Sequence, residues 1–174
     1  EIEDVDFTNT VVDSVNARIT VINSCGNLDI DNVNGKIDLK NTNGNLVIDN
    51  VNGSVYLNNI SGESASVDAV SGNIRVDGLS SKNFKADTSS GNIRIYRIKD
   101  AKDIDLDSGS GNIVIDSEGF EGDIKVNVEG NDLNLSEKYK NKMQNENGYE
   151  VSTNVEKQDL FIHIDSGFGK VNLR

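Results

Sequence analysis

The residues from Gly26 to Ser61 form four successive nine-residue copies, which read GNLDIDNVN, GKIDLKNTN, GNLVIDNVN and GSVYLNNIS. In each copy the second and fourth residues after glycine are aliphatic, and this alternation predicts a β-strand with one buried face. The seventh residue is apolar or nearly so, and we expect it to turn inward beyond a corner, as at Val33, Thr42, Val51 and Ile60. Asn, Asp and Gly supply that corner, because they tolerate left-handed backbone conformations.

The later repeats decide between two folds that fit a nine-residue unit, an antiparallel meander and a flattened solenoid with two units in each coil. Glycines recur at spacings of 19, 20 and 19 residues, at Gly72, Gly91, Gly111 and Gly130. The intervening units begin at Lys82, Lys102 and Gly122. The period is therefore a pair of strands, with odd units stacked on odd units and even on even. Such a repeat predicts a parallel β-solenoid, in which stacking of the coils creates the core.

The predicted fold class is all-β, a single-stranded parallel β-solenoid (β-helix) with flattened two-strand coils of 18–20 residues. We expect residues 1–174 to form one domain, since this length is sufficient for a single core. Residues 1–15 lack the glycine pattern and are interpreted as an N-terminal cap, residues 16–135 as the coils and residues 136–174 as a C-terminal cap. An exposed solenoid end pairs readily with other chains, so caps that differ from the repeats are expected.

Composition narrows the class of partner. The formal net charge is −12, with 17 Lys and Arg against 29 Asp and Glu, which disfavours nucleic acid because phosphate binding needs clustered cations. No apolar run approaches the roughly 20 residues of a membrane helix. The chain begins at Glu1 without a methionine, so we expect a processed product whose signal peptide or anchor lies upstream. This favours an extracellular or cell-envelope location, with a cytoplasmic one as the alternative.

A Ser/Asn-Gly-Asn run followed by an alternating aliphatic pair recurs at residues 43–48, 71–76, 90–95 and 110–115. This motif resembles a bacterial family of β-strand-repeat proteins described as adhesins, a domain of unknown function, and the likeness covers nearly the whole chain. Other parallel β-solenoids share parts of the motif. The resemblance implies a non-enzymatic envelope-associated or surface domain, tied in some cases to envelope stress. It supplies no catalytic residues.

One outward ladder, on the even units, is acidic and reads Asp31, Asp49, Asp68, Asp87 and Asp107, followed by Asn127. Strands stacked about 4.8 Å apart place these carboxylates close enough to repel by about 1 kcal/mol each, even in water. One interpretation is a site for Ca²⁺, which favours several oxygen ligands. The other is that each Asp accepts backbone N–H bonds at its own corner, as an Asx turn. No other cofactor is indicated.

The outward ladder on the odd units reads Thr20, Asp38, Tyr56, Arg75, Arg94 and Val114, with Tyr96 two residues after Arg94. Two arginines and two tyrosines on one flat face could stack on sugar rings or contact a protein. The candidate binding residues are therefore Tyr56, Arg75, Arg94 and Tyr96. The alternative is a solvated sheet face whose Arg stems cover apolar surface, with Asp38 and Asp77 as ion-pair partners.

No catalytic group is expected. His163 is the single histidine, which excludes a multi-histidine metal site, and one such residue on a terminal strand does not indicate a Ser-His-Asp triad. Two classes of function stay open. The domain is either a binding or adhesion module that presents a flat face to a cell-surface polymer or protein, or a structural or envelope-stress signalling element that acts through self-association.

Overall fold

Sixteen β-strands and no helix are found in the computed structural model of the chain, which describes residues 1–130 and 132–174. The strands are β1 (Ile2–Glu3), β2 (Asp6–Asn16), β3 (Ile19–Asn34), β4 (Ile37–Asn43), β5 (Leu46–Asn52), β6 (Val55–Ser71), β7 (Ile74–Ser90), β8 (Ile93–Ile98), β9 (Asp103–Ser108), β10 (Ile113–Asp116), β11 (Ile124–Glu129), β12 (Leu133–Leu135), β13 (Asn141–Gln144), β14 (Gly148–Ser152), β15 (Leu160–Ser166) and β16 (Val171–Leu173).

The strands form one continuous sheet that coils into two faces. The arginine face consists, in order, of β1, β3, β4, β6, β7, β8, β10, β16 and β12, which pair in parallel. The carboxylate face consists of β2, β3, β5, β6, β7, β9, β15 and β11, also in parallel. The long strands β3, β6 and β7 run round a corner and contribute to both faces. Stacked parallel coils with this order confirm the β-solenoid.

The core consists of aliphatic columns between the two faces. Leu28 lies opposite Leu46 on neighbouring strands, and Ile74 lies opposite Ile93. All four are at most 1% exposed, so each contributes roughly 1.5–3 kcal/mol through burial. Because a single coil leaves such side chains uncovered, the stack of coils stabilises every member.

Glycine is required where one corner lies directly above the next. A Cβ atom on Gly35 would lie 2.0 Å from the backbone oxygen of Ala17, and one on Gly53 would lie 2.0 Å from that of Gly35. The backbone at Gly35 and Gly53 also has φ angles of 135° and 133°, which other residues rarely adopt. The nine-residue glycine repeat therefore records close contact between corner backbones.

Residues 1–15 form a coil of their own rather than a distinct cap. The short strand β1 pairs with Val21 and Ile22 of β3, and β2 pairs with the second half of β3, both in parallel. Phe7 and Val12 are partly buried against the core. The aliphatic alternation thus extends to the N-terminus without the glycine signature, which corrects the interpretation of this segment.

The assignment of residues 136–174 to a C-terminal cap is wrong for the last two strands. β15 lies between β9 and β11, and β16 lies between β10 and β12, so this segment is a coil inside the stack. β13 and β14 do behave as a cap, because they extend the carboxylate face beyond β11 by antiparallel pairing. The last segment enters the stack because its DSGFG sequence at 165–169 repeats the DSGSG pattern of residues 107–111.

The predicted inward turn of the seventh residue holds on one face only. Thr42 and Ile60 are buried, as expected, but Val33 and Val51 are 40% and 41% exposed. At those corners the preceding Asn is buried instead. The Asn50 side-chain amide donates to the backbone oxygens of Gly53 at 2.8 Å and Gly35 at 3.3 Å. These bonds satisfy corner carbonyls that would otherwise be buried without a partner.

Candidate functional site

The candidate residues of the arginine face lie on successive strands in the predicted register. Asp38, Tyr56, Arg75 and Arg94 are opposite one another on β4, β6, β7 and β8. Tyr96 lies on the same strand as Arg94 and opposite Asp77. The structure therefore brings Tyr56, Arg75, Arg94 and Tyr96 into one patch, which we call the Arg/Tyr patch.

Cations neutralise the acidic residue next to Tyr56. The Asp38 carboxylate accepts from Arg18 at 2.8 Å and lies 2.7 Å from the Lys36 ammonium, which is 4.0 Å from the centre of the Tyr56 ring. Partial burial alone would raise the pKa of Asp38, but the hydrogen bonds from Lys36 and Arg18 outweigh it and lower the pKa. This part of the face is therefore internally paired.

Arg75 and Arg94 have no such partner. The Arg75 guanidinium lies 4.8 Å from the centre of the Tyr96 ring, and the nearby Asp77 is paired with Arg97. Within residues 1–130 and 132–174, no carboxylate lies within ion-pair distance of Arg75 or Arg94. Like charges directly opposite on neighbouring strands destabilise a sheet, so this pair carries a cost that a bound anion would remove.

The chemistry of the Arg/Tyr patch suits an anionic ligand with sugar-like rings. Each guanidinium offers a planar fork of donors that matches carboxylate, sulfate or phosphate oxygens. Tyr56 is 37% exposed and Tyr96 is half-buried, and each ring has a cation over it, Lys36 at 4.0 Å and Arg75 at 4.8 Å. Arg75 and Arg94 lie on two neighbouring coils, so their guanidinium groups follow each other along the solenoid axis.

The acidic ladder is longer than the sequence indicated. Asp31, Asp49, Asp68, Asp87 and Asp107 lie on successive strands as predicted. Asp13 precedes them, and Asp165 and Glu129 follow. We call this ladder the carboxylate column. The prediction that Asn127 continues the ladder is wrong, because Glu129 lies opposite Asp165 and Asn127 lies opposite His163.

Charge repulsion within the carboxylate column destabilises the fold. Partial burial, with the charges of Asp31 and Asp68, raises the pKa of Asp49, and partial burial, with Asp165 and Asp87, raises that of Asp107. Lys85 is 3.0 Å from Asp87 and relieves one position.

The acidic ladder had two interpretations, an Asx turn at each corner and a Ca²⁺ site, and the structure bears on them differently. None of the five predicted Asp residues accepts a backbone N–H bond from the part of the chain that is described, so the Asx-turn interpretation is wrong. In the same part of the chain, no group of three or more His, Cys, Asp or Glu side chains is arranged to hold a metal ion. Ca²⁺ binding by Asp31, Asp49, Asp68, Asp87 and Asp107 stays a prediction.

Sequence reasoning missed a groove along one corner of the solenoid. It is lined by residues from the two loops before β9 and before β11, including Lys99, Lys102 and Phe120, and by Lys82 and Asp159. Lys82 is paired with Glu63 at 2.6 Å. One wall of the groove brings the loop after β10 to the start of β15, where the Asp159 amide donates to the Asp123 carbonyl at 2.8 Å. The repeat pattern does not contain this contact.

Comparison with known families finds a match over most of the chain. The model of the family described as Toastrack DUF4097 matches residues 20–172. No curated protein and no solved structure matches the chain. In the described residues there is no helix with the length and apolar character needed to cross a membrane.

Proposed function

The chain belongs to the Toastrack DUF4097 family, and we propose that it is a non-catalytic, adhesin-type domain of the cell surface or envelope that binds an anionic surface polymer through the Arg/Tyr patch. The observation that carries this proposal is the pair of unpaired guanidinium groups of Arg75 and Arg94. In a chain with 29 acidic and 17 basic residues, carboxylate partners are abundant, yet these two cations have none among the described residues.

The surroundings of the patch support an anionic rather than a cationic ligand. Asp38 and Asp77 on this face are held by Arg18, Lys36 and Arg97. The third carboxylate beside the patch is Asp116, which lies opposite Tyr96 and accepts a bond from the Glu118 amide at 3.0 Å. An approaching anion therefore meets two free guanidinium groups, with two of the three neighbouring carboxylates already paired with cations. The flat geometry suits a linear polymer, since neighbouring coils repeat every 4.7–4.9 Å. A polymer with an anionic group on each sugar could contact successive coils.

The proposal is tested by retention on isolated cell wall and on an immobilised anionic polysaccharide, with a neutral polysaccharide as reference. Arg75→Ala with Arg94→Ala should weaken binding at least tenfold, because each charge-assisted hydrogen bond contributes about 1.5–3 kcal/mol. Retention by the wild-type chain should fall as salt is added, since the contact is electrostatic.

The matched control removes two cations elsewhere. Lys99→Ala with Lys102→Ala alters the corner groove by the same charge and should leave retention unchanged. If the arginine variant binds as well as the wild type, the Arg/Tyr patch is not the site. If only the lysine variant loses retention, the corner groove is the site instead.

Self-association is a second candidate function, favoured by the N-terminal end of the stack. Among the described strands, β2 pairs only with β3, so its outer edge is open. Val12 on this strand packs against the core but is only partly buried, so apolar surface is exposed at this end. An open strand edge is a template for pairing with another chain. In this alternative the domain is a structural or signalling element whose ends assemble.

A further inference from the structure

The C-terminal strands occupy a slot between coils that follow each other in the sequence. β15 pairs with β9 on one edge and β11 on the other, and β16 pairs in the same way with β10 and β12. All four flanking strands precede β15 in the chain. Without residues 160–173, these four strands would present unpaired backbone edges, which is the arrangement that recruits a strand from another chain.

Close backbone contact at the corner of the slot restricts which segments can bind there. A Cβ atom on Gly169 would lie 1.6 Å from the backbone oxygen of Gly111, and one on Gly167 would lie 2.5 Å from that of Gly109. A segment therefore needs glycine at both positions to stack there. The DSGFG sequence at 165–169 meets this requirement. A second copy of the chain carries the same segment, so it is an occupant of suitable shape.

The linker before β15 lies on the surface. Residues 155–159 are exposed, and Val155 is 78% exposed. Backbone bonds hold the linker only near its ends, from Thr153 N to Ile124 O at 3.0 Å and from Asp159 N to Asp123 O at 2.8 Å. Extension of this linker would let β15 and β16 leave the slot while β14 keeps its pairing with β11 and β13.

We propose that residues 160–174 exchange between two copies of this chain, each inserting β15 and β16 into the slot of the other. The exchanged dimer makes the same strand pairs as the monomer. It also keeps the contacts of Arg174, whose carbonyl accepts bonds from the Ser117 amide at 2.9 Å and hydroxyl at 2.8 Å. Because these contacts are identical, the linker and the protein concentration determine the ratio of dimer to monomer.

Two single-cysteine variants of the full chain test the exchange, both in a Cys25→Ser background that removes the exposed native thiol. One carries Val114→Cys and the other Asn172→Cys, at positions opposite each other on β10 and β16. The two are mixed, unfolded in denaturant, refolded together and oxidised. Exchange holds the β16 of one copy beside the β10 of the other, within the Cα separation of about 4.4–6.8 Å that a disulfide needs, and so raises the yield above that of random collision.

The control mixture uses Lys40→Cys and Asn58→Cys, opposite each other on β4 and β6, whose coils follow directly in the chain. We expect at least tenfold more covalent heterodimer from the first mixture than from the control, with a yield that increases with protein concentration. Light scattering of the Cys25→Ser chain, refolded in the same way, should show dimer. Equal yields from the two mixtures, or a Cys25→Ser chain that refolds only to monomer, would overturn the exchange.

Discussion

Asp49 and Asp107 each lie between two other acidic side chains of the carboxylate column. Partial burial and the neighbouring charges raise the pKa of both groups above the ordinary value of 3.8. A carboxyl with a raised pKa binds its proton more tightly in the folded state. Its favourable contribution to the free energy of unfolding is therefore complete below pH 3.8, and this contribution is lost as the pH rises through the raised pKa. Asp38 has a lowered pKa, and its contribution is lost only at lower pH.

Removal of the Asp49 charge should stabilise the protein at neutral pH. Asp49→Asn relieves repulsion with Asp31 and Asp68, and we expect the free energy of unfolding at pH 7 to rise by roughly 0.2–1 kcal/mol. Urea unfolding of both proteins between pH 7 and pH 3.8 measures this difference in the free energy of unfolding. The difference should shrink as the pH falls. Asp100→Asn, at an exposed corner outside the column, is the control. A gain that is independent of pH, or equal in the control, would contradict the electrostatic cause.

Asparagine adopts two different arrangements at the corners of the solenoid. Asn41 and Asn50 are each the sixth residue after a repeat glycine. Asn41 adopts a left-handed φ of 52°, and the next residue, Thr42, turns inward. Asn50 is itself buried, so Val51 faces solvent. The alternation predicted the strands on both faces. Whether the sixth or the seventh residue after glycine is buried depends on carbonyl groups of neighbouring coils, and a local sequence pattern does not contain that information.

The buried Asn50 of the carboxylate face should therefore contribute more to the free energy of unfolding than an exposed Asn does. Asn50→Ala removes the donor to Gly53 and Gly35 and the acceptor for Asn32, whose amide lies 3.2 Å from the Asn50 oxygen. We expect a loss of about 1–3 kcal/mol in the free energy of unfolding. Alanine fits the space, because Ala69 holds this position on the next strand. The exposed Asn52→Ala should cost less, and equal losses by chemical denaturation would refute the assigned role.

Over the whole molecule, the repeat predicted the neighbours of most coils but not the position of the last one. Glycine spacing indicates which segments stack when they follow each other in the chain, and it placed Tyr56, Arg75 and Arg94 together. It does not reveal that residues 160–173 enter between earlier coils. The match between DSGSG at 107–111 and DSGFG at 165–169 was the available signal. The ion pairs that leave Arg75 and Arg94 free depend on side-chain positions across strands, which spacing alone does not determine.

The open N-terminal coil gives the molecule two unlike ends, and end-to-end association should be sensitive to a charge placed there. Val12 packs against the core from the terminal coil, whereas Val11 faces outward. Val12→Lys should weaken association of native, never-refolded protein at least tenfold, about 1.4 kcal/mol, because a charge would enter a contact between ends. Sedimentation velocity measures it, with melting curves to verify folding. Val11→Lys adds the same charge to the flat face and should leave association intact. A wild-type chain that is monomeric at every concentration, or dissociation by Val11→Lys alone, would exclude assembly through this end.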